Sequence, residues 1–427
     1  MARRLAVIGA GWAGCAAAVQ AVDEGFDVTL YEMASCLGGR ARRVDVEGVA
    51  LDNGQHILIG AYTECLRMMR LVGVRTTLDL LRMPLQLVHA DGGGLRLRPG
   101  RPVPALLSAI AQHGRWTVSE RLALLRKAGL WTLRRFRCDP ALTVAQLCAG
   151  LPSRVRDELI DPLCVAALNT PVHRASAAVF LRVLRDALGS GPGSSDLLLP
   201  RTDLSALFPE PAARWLETAG ARVRRGHRVL GLERHGSTSW RVDGDPYDAV
   251  ILACPPGEAA RLARPQAAAW ADRADALRFE PIVTVYAHAA GARLPLPMLA
   301  LRSSETAPAQ YVFDRGRLGG PTGLLAFVIS GAGSWVARGL EATAQAVHDQ
   351  ACRELSRYLR PPLRMVRTIV EKRATFLCEP GLQRPSPAIA PGLWAAGDHV
   401  DGPYPATLEG AVRAGVAAAQ SAAAHRA

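Results

Sequence analysis

The sequence predicts an α/β fold of mixed α+β content, in which a Rossmann-like dinucleotide-binding domain with a ββα-type crossover is interleaved with a second domain of mixed sheet and helices. Three observations lead there. Residues 3–32 read as strand, glycine turn, helix and second strand, a βαβ unit. A mostly helical stretch over about 104–188 follows, punctuated by prolines at 140, 152, 162 and 171. Beyond a Gly/Ser/Pro loop at 189–195 the α/β pattern returns and continues to the end. The expected domains are therefore discontinuous: 1–75, 195–275 and 385–427 bind the dinucleotide, and 76–194 with 276–384 bind substrate. A chain of 427 residues, 49% hydrophobic, suits two or three domains at roughly 150 residues each.

In order, Leu5 to Ile8 is a short apolar run suited to a strand buried on both faces of a parallel sheet. An alanine-rich helix reaches about Glu24, and a second strand covers Asp27 to Tyr31. Residues 42–52 form a hairpin about Glu47-Gly48, and 61–72 a helix closed by Gly73. After the 189–195 loop come a helix from about 209, short strands at 221–224, 227–234 and 238–242, and the apolar strand Asp248 to Cys254, ended by Pro255-Pro256. Strands near 282–288, 309–313 and 323–330, a helix over 340–359 and a strand over 364–376 follow. The chain finishes with Leu393 to Ala396, Gly397-Asp398 and a small-residue helix from about 406 to 424.

Composition narrows the function classes. Only two of the 51 basic residues, Lys127 and Lys372, are lysines, a bias that GC-rich coding produces. The net charge of +13 is spread along the chain without zinc-ligand spacing or an RNA-binding aromatic signature, so no nucleic-acid partner is expected. The nine cysteines contain no CxxC pair and no histidine at ligand spacing; they read as reduced, mostly buried thiols of a cytoplasmic protein with no metal site. Leu5 to Val22 follows Arg3-Arg4 as a signal peptide would, but Gly9, Gly11 and Gly14 weaken such a helix and no cleavage site precedes Asp23-Glu24. No other run reaches 18 apolar residues, so no membrane span is expected. The charge fits peripheral contact with anionic lipid on the inner face of the cytoplasmic membrane.

Gly9-Ala10-Gly11-Trp12-Ala13-Gly14 is a GxGxxG placed between strand and helix, the context that the fingerprint requires. Gly9 turns the chain, Gly11 admits a pyrophosphate to the backbone, Gly14 lets helix and strand pack, and Trp12 and Ala13 open the helix whose N-terminus faces the phosphates. Glu32 ends the second strand, where it suits ribose hydroxyls and disfavours a 2′-phosphate. Gly38, Gly39 and Arg40 follow with close backbone approach and a guanidinium. Val229, within 227–234, joins the cofactor-binding candidates. At the far end, Gly397-Asp398 closes a strand and Thr407-Leu408 opens a helix.

These blocks, with DAVILACPP at 248–256 and PATLEGAVRAG near the end, are similar to the flavin amine oxidase and carotenoid desaturase superfamily. VIGAGWAG, LGGRARR, LDNGQHILIGAY at 51–62, EKRATF at 371–376 and GPYPATLEGA at 402–411 resemble, more closely, the hydroxysqualene dehydroxylase family. The resemblance runs the whole length. It implies an amine oxidase-like two-domain protein with FAD, and reductive replacement of the allylic hydroxyl of hydroxysqualene, a C30 isoprenoid, by hydrogen to give squalene in hopanoid biosynthesis. Asp398 then suits the ribityl or phosphate hydroxyls, and the helix opened by Thr407 and Leu408 suits negative charge near flavin N1 and O2. Cys378 lies in FLCEP and not in the aromatic and glycine setting of covalent flavin, so FAD is expected to be non-covalent. Lys372 is matched to a lysine found near N5 in many amine oxidases.

Hydroxide leaves poorly unless protonated, so a general acid is required. The candidates are Asp52, Asn53 and His56 in one specific loop, and His399, Asp401 and Tyr404 in the other, with His56 ranked first and Lys372 in reserve. Two rival readings stay open: a phytoene-type oxidative carotenoid desaturase, and a non-catalytic isoprenoid carrier of the same fold. The reductant and the oligomeric state leave no signature. Residues 116–137 present Trp116, Val118, Leu122, Leu125, Leu133 and Phe136 at helical spacing, with Trp131 in the body. Arg121, Arg126, Lys127, Arg134, Arg135 and Arg137 stand against only Glu120. This helix either faces an anionic membrane or packs on the core with its arginines in water.

Overall fold

The computed structural model describes residues 2–236 and 239–425; position 238, where the 238–242 strand was expected to begin, lies outside them. The apolar runs assemble into one six-stranded sheet in the order Arg222–Arg225, Asp27–Glu32, Arg4–Ile8, Ala249–Leu252, Leu393–Ala395, Ala388–Ala390. The first five strands are parallel and the last is antiparallel. Leu5 lies opposite Val28 on one side and Ala249 on the other, with both faces covered, which explains why these strands read as unbroken apolar runs. The connection from Arg222–Arg225 to Ala249–Leu252 is a three-stranded meander of Leu232–His235, Ser239–Val242 and Asp245–Tyr247. The strand expected over 227–234 begins only at Leu232, because Gly226, at φ +68°, turns the chain first.

Two helices of small residues, Trp12–Asp23 and Leu408–Ala424, cover one face of the sheet. They approach so closely that a Cβ on Gly415 would lie 2.1 Å from the carbonyl oxygen of Ala13. The first and last segments of the chain are thereby locked together.

The second sheet is antiparallel, in the order Met298–Ala300, Tyr311–Asp314, Leu324–Ile329, Phe279–His288, Arg364–Phe376. Alternation along Phe279–His288 sends Val283, Val285 and Ala287 to a core with Val347 and Ala351 of the Leu340–Glu354 helix. Ile282 and Tyr286 belong to the opposite core, beneath the helices Pro102–Ala111 and Val118–Leu133. The helix expected over 340–359 stops at Glu354. Short elements escaped the sequence pattern, among them the helices Pro256–Ala263 and Ala268–Asp275 and the pairing of Leu197–Pro200 with Leu58–Ile59 and Leu80–Met83. Among the described residues, no helix is long and apolar enough to cross a membrane, and no cluster of His, Cys, Asp or Glu is placed to hold a metal ion.

Candidate active site

The carboxyl ends of the parallel strands converge on one cavity of about 1560 Å³, the crevice where ligands bind in such sheets. Gly9 follows the central strand, Glu32 ends its neighbour, Ala253 follows the next, and Ala396, Gly397 and Asp398 follow Leu393–Ala395; all line the cavity. Each fingerprint glycine has its own physical reason. Gly9 sits at φ +105°, with a would-be Cβ 2.7 Å from the Ala253 carbonyl oxygen. A Cβ on Gly14 would lie 1.7 Å from the Gly9 carbonyl oxygen, so Gly14 serves helix–strand packing and does not line the cavity. Gly11 instead faces space, with Gly39 Cα its nearest neighbour at 3.9 Å from a built Cβ. Gly38 N–H donates to the Ala10 carbonyl at 2.9 Å, which holds the second glycine pair over the first. The result is a backbone cradle with room for a pyrophosphate at the N-terminus of the Trp12–Asp23 helix.

Glu32 accepts from the Ala10 N–H at 2.8 Å with one oxygen and from the Ala34 N–H at 2.9 Å with the other. Its carboxylate thus braces the glycine turn and keeps lone pairs for ribose hydroxyls. Trp12 lines the cavity and donates its indole N–H to the Ala41 carbonyl at 3.1 Å; Ala13 and Val229 line it too. Arg40 pairs with Asp398 and donates to the Ala374 carbonyl at 2.9 Å. Burial alone would lower the Arg40 pKa, but the Asp398 carboxylate holds it above its ordinary value. Thr407 caps the last helix by accepting from Gly410 N–H at 2.9 Å, and with Leu408 presents that helix end to the cavity.

Asn53 joins three of the motifs singled out in the sequence. Its amide donates to the Arg40 carbonyl at 2.6 Å and to Glu371 at 3.3 Å, and its Oδ1 accepts from Arg42 N–H at 3.1 Å.

The proton-donor candidates separate. His56 lines the cavity, and its Nδ1–H donates to the Gly54 carbonyl at 2.7 Å, leaving Nε2 as the bare nitrogen. Burial, reinforced by Arg40, lowers its pKa. His399 is buried with Nε2 unpartnered, and burial pushes its pKa down to about 4. Both imidazoles are therefore neutral at pH 7. Tyr404 also lines the cavity, and burial together with the Asp186 carboxylate raises its pKa, so it keeps its proton.

Asp52, Asp401 and Lys372 do not reach the cavity. Asp52 turns inward to accept from Leu204 N–H at 2.8 Å, and Asp401 pairs with Arg384 at 3.1 Å. Lys372 is exposed because strand alternation points it away from Glu371 and Arg373, which do line the site. The sequence reading passed over Glu371 although that period-two signal was present. Tyr62 and Asn169 were also missed. Asn169 lines the cavity at φ +46° after the Asp161–Leu168 helix, a left-handed capping position that Asn tolerates.

Apart from this polar floor, the lining is apolar, with Leu106, Ile110, Leu124, Leu125, Leu163 and Phe180 among it. The model of the family described as flavin containing amine oxidoreductase matches residues 12–423. The chain is 29% identical over 442 residues to a hydroxysqualene dehydroxylase of Rhodopseudomonas palustris, covering 98% of each. It is 29% identical over 450 residues to a hydroxysqualene dehydroxylase of Sinorhizobium fredii, again covering 98% of each. Among solved structures, an oxidoreductase from Methanosarcina mazei superposes with a TM-score of 0.76 at 14% identity, over 98% of this chain and 100% of that one, a likeness of fold.

Proposed function

We propose a reaction from the premise that the chain belongs to the flavin containing amine oxidoreductase family and is an FAD-dependent oxidoreductase: it removes the allylic hydroxyl of hydroxysqualene reductively, giving squalene and water. The full-length similarity to two hydroxysqualene dehydroxylases carries the reading. A large apolar cavity joined to a dinucleotide cradle supports it. On this reading 1–75, 195–275 and 385–427 hold the cofactor non-covalently, and 76–194 with 276–384 shape the C30 site.

The cradle of Gly9, Gly11 and Gly39 takes the pyrophosphate, Glu32 the adenosine ribose, and Arg40 with Asp398 the ribityl and phosphate region. The helix N-terminus at Thr407 and Leu408 would hold the flavin end of the cofactor, where its dipole would favour negative charge. When bound and reduced, FAD would supply the hydride that replaces the hydroxyl at the allylic carbon, and the departing oxygen would keep the electron pair of the C–O bond. That oxygen needs a proton to depart as water. Tyr404, which keeps its proton at neutral pH, donates it. His56, neutral with Nε2 bare, accepts a hydrogen bond from the substrate hydroxyl and orients it. The apolar walls hold the isoprenoid chain and exclude water. The protein works against the cytoplasmic face of the membrane.

Anaerobic incubation of the reduced protein with hydroxysqualene tests the proposal. Squalene formed with stoichiometric flavin oxidation supports it. In a parallel incubation of the oxidised protein, flavin reduction accompanied by a more unsaturated isoprenoid establishes the desaturase reading instead, and a colourless protein that binds isoprenoid establishes the carrier.

A further inference from the structure

We infer that the cavity opens onto an anionic bilayer surface, through a mouth between the helices Pro102–Ala111 and Val118–Leu133. On these two helices three apolar side chains line the cavity and are simultaneously exposed: Val103 at 47%, Leu107 at 48% and Leu133 at 81%. Val118 and Leu122 continue this exposed surface along the second helix. At about 100° per residue, Val118, Leu122, Gly129 and Leu133 fall within about 60° of arc. Leu124 and Trp131, on the far side, are buried in the protein. The 118–133 helix therefore has two apolar edges, one inside and one facing outward.

Charge identifies what the outer edge meets. Residues 98–137 contain nine basic side chains and one acidic one, Glu120. Glu120 is committed to the capping box with Thr117. Among the described residues, Arg101, Arg126, Arg134, Arg135 and Arg137 have no carboxylate partner, and Arg126 lies just beyond the apolar arc on the solvent side. Arg121 and Lys127 drop out of the set expected from sequence, since they donate to the carbonyls of Ala111 and His113 and of Ala149. Trp116 drops out too: it is buried, stacked on His113, and donates to Glu158 at 2.8 Å. An apolar rim interleaved with unpaired guanidinium groups complements acyl chains beneath anionic head groups. A passenger hydrocarbon then moves from bilayer to cavity without crossing water, a step that rests on the proposed C30 substrate, whereas docking itself does not.

The test is flotation of the full, FAD-loaded chain with phosphatidylglycerol/phosphatidylcholine vesicles or pure phosphatidylcholine vesicles, at low and high salt. Flotation with the anionic vesicles, falling at least tenfold with the zwitterionic ones or in high salt, is expected. The triple variants Val103→Ser/Leu107→Ser/Leu133→Ser and Arg126→Gln/Arg134→Gln/Arg135→Gln should each lose flotation tenfold while retaining flavin absorbance. Should the serine variant lose its flavin, the glutamine variant decides alone. Wild-type protein that stays with the dense fraction, or variants that float undiminished, overturn the inference. So does a wild-type dimer that the serine variant dissociates, which would make the rim a contact between copies. Flotation without squalene formation overturns the reaction and leaves docking; squalene made from micellar substrate by protein that never floats does the reverse.

Discussion

Arg40 and Asp398, separated by 358 positions in sequence, form an ion pair on the cavity floor, with the Asp398 side chain 6% exposed and that of Arg40 30%. Each is a cofactor candidate in its own right, yet each spends part of its charge on the other. Asp398→Ala should strand Arg40 and lower stability by about 1–3 kcal/mol, less than the ~3–5 kcal/mol of a fully buried pair because Arg40 touches solvent. Arg40→Met/Asp398→Leu should be less destabilised than the sum of its single variants and still lack FAD. Thermal unfolding with flavin absorbance reads both outcomes.

The fingerprint glycines should fail in different ways. The Cβ of Gly11→Val meets only Gly39 Cα at 3.9 Å and the Gly38 carbonyl oxygen at 4.0 Å, so the variant should be folded but colourless. Gly14→Ala forces a methyl to 1.7 Å from the Gly9 carbonyl oxygen, so it should not fold. A fully flavinated Gly11→Val protein would remove the assignment of the pyrophosphate cradle.

Glu32→Ala loses two bonds to backbone N–H groups as well as the ribose contact. The backbone bonds bear on stability, whereas the ribose contact, at ~1.5–3 kcal/mol for a hydrogen bond to a charged group, sets a fall in FAD affinity of about 10–150-fold. Glu32→Gln, able to accept at only one of its two ends, should fall between. Titration of apoprotein with FAD measures the series.

Tyr404→Phe should slow loss of the hydroxyl by about 10²–10⁴-fold while leaving FAD bound and reducible. His56→Ala should weaken substrate binding with a smaller effect on the chemical step, and Lys372→Ala should change neither. Single-turnover oxidation of reduced enzyme by hydroxysqualene separates these. A wild-type rate in Tyr404→Phe would return the donor role to another cavity group.

Burial raises the Asp52 pKa from 3.8 to about 7. Folded Asp52 therefore holds a proton that the unfolded chain releases, so its contribution to stability is complete below about pH 4 and is lost as the pH rises to about 7. At ~1.4 kcal/mol per unit, about three units set a ceiling on the order of 4 kcal/mol. His399 has the opposite sign: its pKa falls from 6.5 to about 4, so its contribution is complete above about 6.5 and is lost on acidification. Asp52→Asn, which keeps an acceptor for Leu204 N–H, should melt higher than wild type at pH 8 and flatten the loss between pH 4 and 7. Melting curves across that range check the sign.

The cofactor half was legible because its requirements are local. Gly9, Gly11, Gly14 and Glu32 sit at fixed offsets from strand ends, and the backbone geometry there admits few other residues. The catalytic half was not, because whether a side chain reaches the cavity depends on which face of an element it occupies. Asp52 and Asn53 are adjacent, yet one caps a helix in the core and the other ties three cavity motifs together. Lys372 was singled out by its match to the lysine near N5 in amine oxidases, while its neighbour Glu371 faced the site. The basic helix was visible as charge pattern, but only tertiary packing removed Trp116 and Arg121 from its outer surface.

The close packing of Gly415 against Ala13 also bears on how the protein is made. The cradle begins at Gly9, but its opposite wall, from Ala396 to Ala411, leaves the ribosome only after the whole intervening chain has been made. A nascent chain can form its first strand, turn and helix early and still has no partner for Arg40 or for the small-residue face of that helix. FAD capture must therefore wait until that wall has been made, and until then an alanine-rich surface stays uncovered, open to chaperones and proteases.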